Sequence, residues 1–199
     1  MRNSIVLTPR PYLSYSQLIL WERSPEDYVE QYIYGQKRTN QYMELGKVVA
    51  EMLETDEEQD DPGLEMVRTY MPRYPKNEFQ IEMSFKGIPL LGKLDGFDPA
   101  GRRIGEYKTG KKWTQRMVDE SDQLTFYSIL VWLAFKDWPS EIKLHWAETK
   151  MEGTDLKFTG QIKTFNAHRG MNDALRMYPR IQSAWEGIKK VSEKEYSKI

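Results

Sequence analysis

The stretch "IPLLGKLDGFDPAGRRIGEYKTGKKW", residues 88–113, holds two strand-like runs around "DPAG", a turn sequence with Pro and Gly in suitable places. Side chains at i and i+2 of a strand leave the same face. Glu106 and Lys108 therefore stand side by side, where a buried strand would carry Ile or Val. Taken alone they read as a solvated ion pair on an edge strand. The preceding strand changes that reading. If Asp98 pairs with Gly101, Asp95 lies opposite Ile104, and Glu106 becomes its diagonal neighbour at about 7–8 Å between Cα atoms. Two carboxylates converging from adjacent strands can hold one hard divalent cation. Such a cation can act as Lewis acid on a phosphoryl oxygen and lower the pKa of a water. Lys108 would then orient the nucleophile or stabilise developing charge. The following "TGKK" offers backbone N–H groups and two cations, Lys111 and Lys112, to a phosphate backbone.

Outward from this hairpin the pattern stays consistent. "EFQIEMSFKG" alternates like a strand just upstream. Downstream, "SDQLTFYSILVWLAFK" is a helix apolar nearly all round, which must be buried against the sheet. Its polar exceptions, Gln123 and Tyr127, are at i and i+4 and share a face; a buried amide and phenol need partners. Strands "EIKLHWAETK" and "KFTGQIKTF" follow, then a helical region over 167–191. Upstream, Ser14 and Ser24-Pro25 mark two helix starts, Gly35 a stop, and "NQYMELGKVVAEMLE" a third helix, with a short helix over 64–71. Helices, three antiparallel strands, a buried helix, two strands and a last helix make a mixed α/β domain. We expect one domain over 1–199: a helical part at 12–72, a sheet-containing core at 78–166 and a C-terminal helix at 167–192.

Composition bounds the alternatives. The 199 residues include six Trp, twelve Tyr and seven Phe, too many for a disordered chain. No apolar run reaches membrane-spanning length, and no secretory signal opens the chain. The absence of cysteine excludes disulfides and Cys-ligated zinc or iron–sulfur clusters, and fits a reducing compartment. Net charge is −1, but its distribution is uneven: 51–65 carries eight acidic residues and no basic one, whereas 86–116 is locally basic. A basic segment is the footprint of a phosphate-facing surface, or simply a solvated face. The C-terminal cations Arg169, Arg176, Arg180, Lys189 and Lys190 carry the same two readings.

The order Gly-x-x-Asp, turn, Glu-x-Lys-Thr-Gly-Lys, then Gln-x-x-x-Tyr some fifteen residues later resembles the RecB-like branch of the PD-(D/E)XK nuclease superfamily. The likeness extends over residues 14–127 through "SYSQLILWERSPEDYVEQYIYG", "ELGKVVAEMLE", "IEMSFKGIPLLGKLDGF", "EYKTGK" and "QLTFY". It implies a restriction-endonuclease-like α/β core, a central mixed sheet of about five strands flanked by helices. It also implies a Mg2+- or Mn2+-dependent deoxyribonuclease, an exonuclease of recombination, repair or phage replication, in the cytoplasm of a prokaryotic or phage-infected cell. Asp95 and Glu106 correspond to metal ligands, the Tyr107 carbonyl to a further one, and Lys108 to the catalytic lysine. Gln123 and Tyr127 match the substrate-proximal pair, and Glu82 the supporting strand glutamate. DNA is the implied partner, with a homo-oligomer or a single-strand annealing or replication protein beside it. The chain departs from the pattern at Ala50, where the family helix carries a metal-binding His, and at Ser24, where many relatives have Cys. Glu51 or Glu54 could replace the His, or both belong to the solvated acidic stretch. A non-catalytic DNA-binding scaffold of the same fold is the alternative function. A glycosidase with paired carboxylates would leave Lys108 and the Gln–Tyr pair without roles.

Overall fold

The computed structural model describes residues 8–36, 39–110 and 112–198. Strands β1 (Leu13–Ser14), β2 (Lys76–Phe85), β3 (Ile88–Asp98), β4 (Arg103–Gly110), β5 (Glu141–Glu152) and β6 (Asp155–Ala167) form one mixed sheet. Helices are α1 (Tyr15–Arg23), α2 (Pro25–Tyr28), α3 (Gln41–Thr55), α4 (Pro62–Tyr70), α5 (Gln115–Asp119), α6 (Asp122–Phe135) and α7 (Met171–Tyr196), and a π-helical turn, Val29–Ile33, continues α2. The helix starts follow from capping chemistry. Side-chain oxygens of Ser14, Ser24, Asn40 and Asp61 accept N–H groups of the first turn of α1, α2, α3 and α4, satisfying donors that have no partner within the helix. The C-terminal helix begins later than expected, at Met171, because β6 runs to Ala167 and pairs it with Ile142.

The expected three antiparallel strands are β2, β3 and β4; β5 then joins β4 in parallel and β6 joins β5 antiparallel. The short parallel strand β1 had no counterpart in the sequence reading. It pairs Leu13 with Leu90 and Ser14 with Leu91. Strand β2 occupies one edge of β3 from Phe85 back to Lys76. A strand has only two edges, so β1 and β4 share the other: β1 takes 90–91, and β4 takes Gly96–Asp98. Residues 92–95 of β3 thus face a fork between β1 and β4.

The hairpin register corrects the expectation that Asp98 pairs with Gly101. Asp98 pairs with Arg103. Asp98 Oδ1 accepts the N–H groups of Ala100 and Gly101, and Arg102 takes a φ of 51°, so four residues rather than two span the turn. The ladder ends at Gly96–Gly105. One step further along the same register, Asp95 and Glu106 are opposite each other, not diagonal.

The sheet is covered on both faces. Leu124 to Val131 of α6 are all buried, as its all-round apolar character requires. Each fully buried Leu or Phe there is worth about 1.5–3 kcal/mol. The helix lies so close to β3 that a Cβ at Gly92 would meet Leu130 Cδ1 at 2.3 Å. On the other face, Val49, Met52 and Leu53 of α3 pack with Val67 of α4 and Tyr107 of β4. Tyr74 lies on Gly96 and Gly105, where a Cβ would come within 2.6 and 2.2 Å of its ring.

Candidate active site

The fork opens where β4 leaves β3. Tyr107 N–H is donated not to a backbone carbonyl of β3 but to Asp95 Oδ2, at 2.9 Å. In an extended strand a residue's N–H and C=O leave by the same edge, so the Tyr107 carbonyl is also turned toward the fork. Glu106, 1% exposed, accepts from Lys108 Nζ at 2.6 Å through Oε1. The same ammonium donates to Gln123 Oε1 at 2.9 Å, and Gln123 Nε2 donates to the Tyr127 hydroxyl at 3.1 Å. The helix α6 therefore delivers both polar side chains to the β4 pair, as their i, i+4 spacing requires.

Burial and the like charge of two neighbouring carboxylates dominate the electrostatics of the fork. Burial first, then the nearby Glu106 carboxylate, push the Asp95 pKa up to about 8, despite the opposing Lys108 charge and the Tyr107 N–H. Burial alone would lower the Lys108 pKa, but Glu106 and Asp95 outweigh it and hold the ammonium above its ordinary value. Tyr127 is held as a neutral phenol, its pKa raised by burial and then by Glu106 and Asp95. Glu106 Oε2 is buried without a hydrogen-bond partner. An unpartnered carboxylate oxygen, a half-buried second carboxylate and a backbone carbonyl make an all-oxygen donor set, which suits Mg2+ or Mn2+ rather than a thiophilic metal.

Other expected residues are placed elsewhere. Glu51 and Glu54 are exposed on α3, and no group of three or more His, Cys, Asp or Glu that could hold a metal is gathered among the described residues. Glu82 is exposed on β2, opposite Leu91, and its Oε1 accepts from Gln80 Nε2 at 2.6 Å. It touches neither Asp95 nor Lys108, because its rung lies beyond the β1 end of the fork. Lys112 is exposed, and Lys111 lies outside the described residues. The C-terminal arginines serve packing: Arg180 clamps Glu22 and Asp122, Arg176 pairs with Asp173, and Arg169 donates to Thr125 and to the carbonyls of Val118, Ser121 and His168. His145 is a core residue between Tyr74 and Thr164, at 3.0 and 2.8 Å, its pKa pushed down to about 4 by burial.

Two residues near the site were not singled out from sequence. Tyr15, first in α1, lies within the field of Lys108. Glu78, on β2, acts through its charge on both Asp95 and Tyr127 and is ion-paired with Lys93. Lys93 also lines a cavity of about 540 Å³ that reaches Gln123 and Tyr127, with Arg10, Tyr12 and Tyr32 on its far walls. The glutamate opening "EFQIEMSFKG" was a visible signal, but nothing in a strand's alternation distinguishes it from Glu82.

No protein-family model matches the chain, and no curated protein matches its sequence. Solved structures do match. A "Putative exonuclease" from Eubacterium rectale superposes with a TM-score of 0.60 at 13% identity, covering 93% of this chain and 82% of that one. A phage related exonuclease from Haemophilus somnus 129PT superposes with a TM-score of 0.56 at 14% identity, covering 84% of this chain and 80% of that one. The likeness is one of fold: a mixed sheet between helical layers, shared across nearly the whole chain.

Proposed function

We propose that this protein is a divalent-metal-dependent DNA nuclease, an exonuclease of the RecB-like branch of the PD-(D/E)XK superfamily. The observation that carries this is the fork itself. It sets the Asp95 and Glu106 carboxylates together at the end of a ladder, leaves Glu106 Oε2 unpartnered, and places Lys108, Gln123 and Tyr127 in one hydrogen-bonded row beside them. The two matching structures, both named as exonucleases, support the same reading.

In this reading Asp95, Glu106 and the Tyr107 carbonyl hold the cation. When bound, it supplies Lewis acidity toward a phosphoryl oxygen and a water of lowered pKa. Asp95 must give up its proton for that role, which its raised pKa makes a pH-sensitive step. Lys108 remains charged and directs its ammonium at the negative charge that builds on the scissile phosphate. Gln123 holds that ammonium in place from the α6 side, and Tyr127 anchors Gln123. The lysine thus does more than neutralise Glu106.

End-labelled linear duplex, closed circular and single-stranded DNA, each incubated with and without Mn2+, test the proposal. Metal-dependent degradation of linear DNA, absent in Glu106→Ala, is expected. A Glu106→Ala protein that keeps the wild-type rate overturns it. A wild-type chain that binds no Mn2+ in the millimolar range, by calorimetry, makes the protein a DNA-binding scaffold of this fold instead.

A further inference from the structure

The β2–β3 ladder is irregular at one rung. Asn77 pairs with Gly96 and Phe79 with Leu94, so Glu78 and Asp95 are opposite each other, yet these two alone break the pattern. Asn77 donates to the Leu53 carbonyl of α3, and Gly96 lies under Tyr74, both on the α3–α4 side. Phe79 stacks on Phe97 in the core that contains α6, and Leu94 is buried in the same core. Residues two apart normally share a face. Here both strands switch faces between positions two apart, and the switch falls on Glu78 and Asp95. Glu78 achieves it with a φ of 50°, a left-handed conformation in the middle of a strand. For a non-Gly residue that costs about 1–3 kcal/mol, and such residues cluster at functional sites.

The strain has a chemical counterpart. Glu78 lies at the rung of Asp95, its charge reaches Asp95 and Tyr127, and it is ion-paired with Lys93, which lines the cavity. The helix position that would complete a ligand set is Ala50, and the glutamates beside it are exposed. Glu106 Oε2 remains buried and unpartnered.

Building on the metal reading above, we infer that Glu78 is the third carboxylate of the cation site, a positioning residue that acts on the hydration shell of the cation. Direct ligation is left to Asp95 and Glu106, since no three-carboxylate cluster close enough to hold a metal is formed among the described residues. Lys93 holds Glu78 when the cation is away. Glu78 thus adds a third negative charge to the site from β2, and Glu51 and Glu54, exposed on α3, take no part.

Mn2+ titration by calorimetry on the full chain tests this, with wild type beside Glu78→Gln, Glu78→Asp and Glu51→Gln. Glu78→Gln should weaken Mn2+ binding by about tenfold or more, the usual effect of removing an outer partner of a metal site. Glu78→Asp should keep most of the affinity, and Glu51→Gln all of it. The Mn2+-induced rise in Tm gives a second readout that does not depend on DNA cleavage. Should Glu78→Gln fail to fold, Glu78→Asn removes the charge with a residue that tolerates the left-handed backbone. Equal affinity in wild type and the Glu78 amide variant, or a loss in Glu51→Gln instead, overturns the assignment. A wild-type chain that binds no Mn2+ overturns the nuclease reading as well, so the two failures are distinct.

Discussion

Lowering the pH should release the cation before it disturbs the fold. Asp95 has a pKa near 8 without metal, because burial and the facing Glu106 both penalise its charge. A cation needs the ionised carboxylate, so binding expels a proton. At pH 8.5 roughly three quarters of the metal-free molecules carry ionised Asp95, and at pH 6.5 roughly 3% do, taking about 8 as the midpoint. Apparent Mn2+ affinity should therefore fall about 25-fold over those two pH units, or about 1.9 kcal/mol at 1.36 kcal/mol per tenfold. Calorimetric titration in two buffers of different ionisation enthalpy measures both quantities. At pH 7 about 0.9 proton should be released per ion bound. An affinity that changes less than about threefold between pH 6.5 and 8.5, with no proton release, refutes the raised Asp95 pKa on which this prediction rests. Metal-free stability should move the opposite way. The folded pKa lies above the unfolded one, so the native state holds a proton that the unfolded chain has released. The contribution of this group is therefore full below the ordinary Asp range and is lost as pH rises toward about 8.

Lys108→Met should slow DNA cleavage by about 10²-fold or more while Mn2+ still binds. It should also cost the metal-free protein about 3 kcal/mol in urea denaturation, because a buried Glu106 charge loses its partner. Gly105→Ala should lower Tm by roughly 3–10 °C, as the new Cβ would sit 2.2 Å from Tyr74 and force the ring off His145. Arg169→Met should leave the sheet intact but speed hydrogen exchange at the α5–α6 corner, where the guanidinium binds the Val118 and Ser121 carbonyls.

Much of this site was legible in the chain. Asp95, Glu106, Lys108, Gln123 and Tyr127 are polar residues placed where strand and helix periodicity call for apolar ones. Such exceptions stand out in a sequence because burying them requires partners. The structure brings these five together. Caps at Ser14 and Ser24 were equally plain, since capping is a local interaction over three residues. The third carboxylate was not legible. Reading Glu51 and Glu82 as candidates relied on position along the chain, and both are exposed.

The amino-acid sequence by itself determined the order of the longer helices and strands, the buried character of α6 and the chemistry available at the fork, because these follow from local periodicity and side-chain type. Only the tertiary structure decided the register. Asp98 captures two backbone N–H groups and lengthens the turn, and that shift of two residues sets Asp95 opposite Glu106 instead of Ile104. Likewise, β1 shares an edge with β4, so β3 is left open at 92–95. Strand pairing joins residues far apart in the chain, and a carboxylate such as Glu78 acquires its neighbours only when that pairing is made.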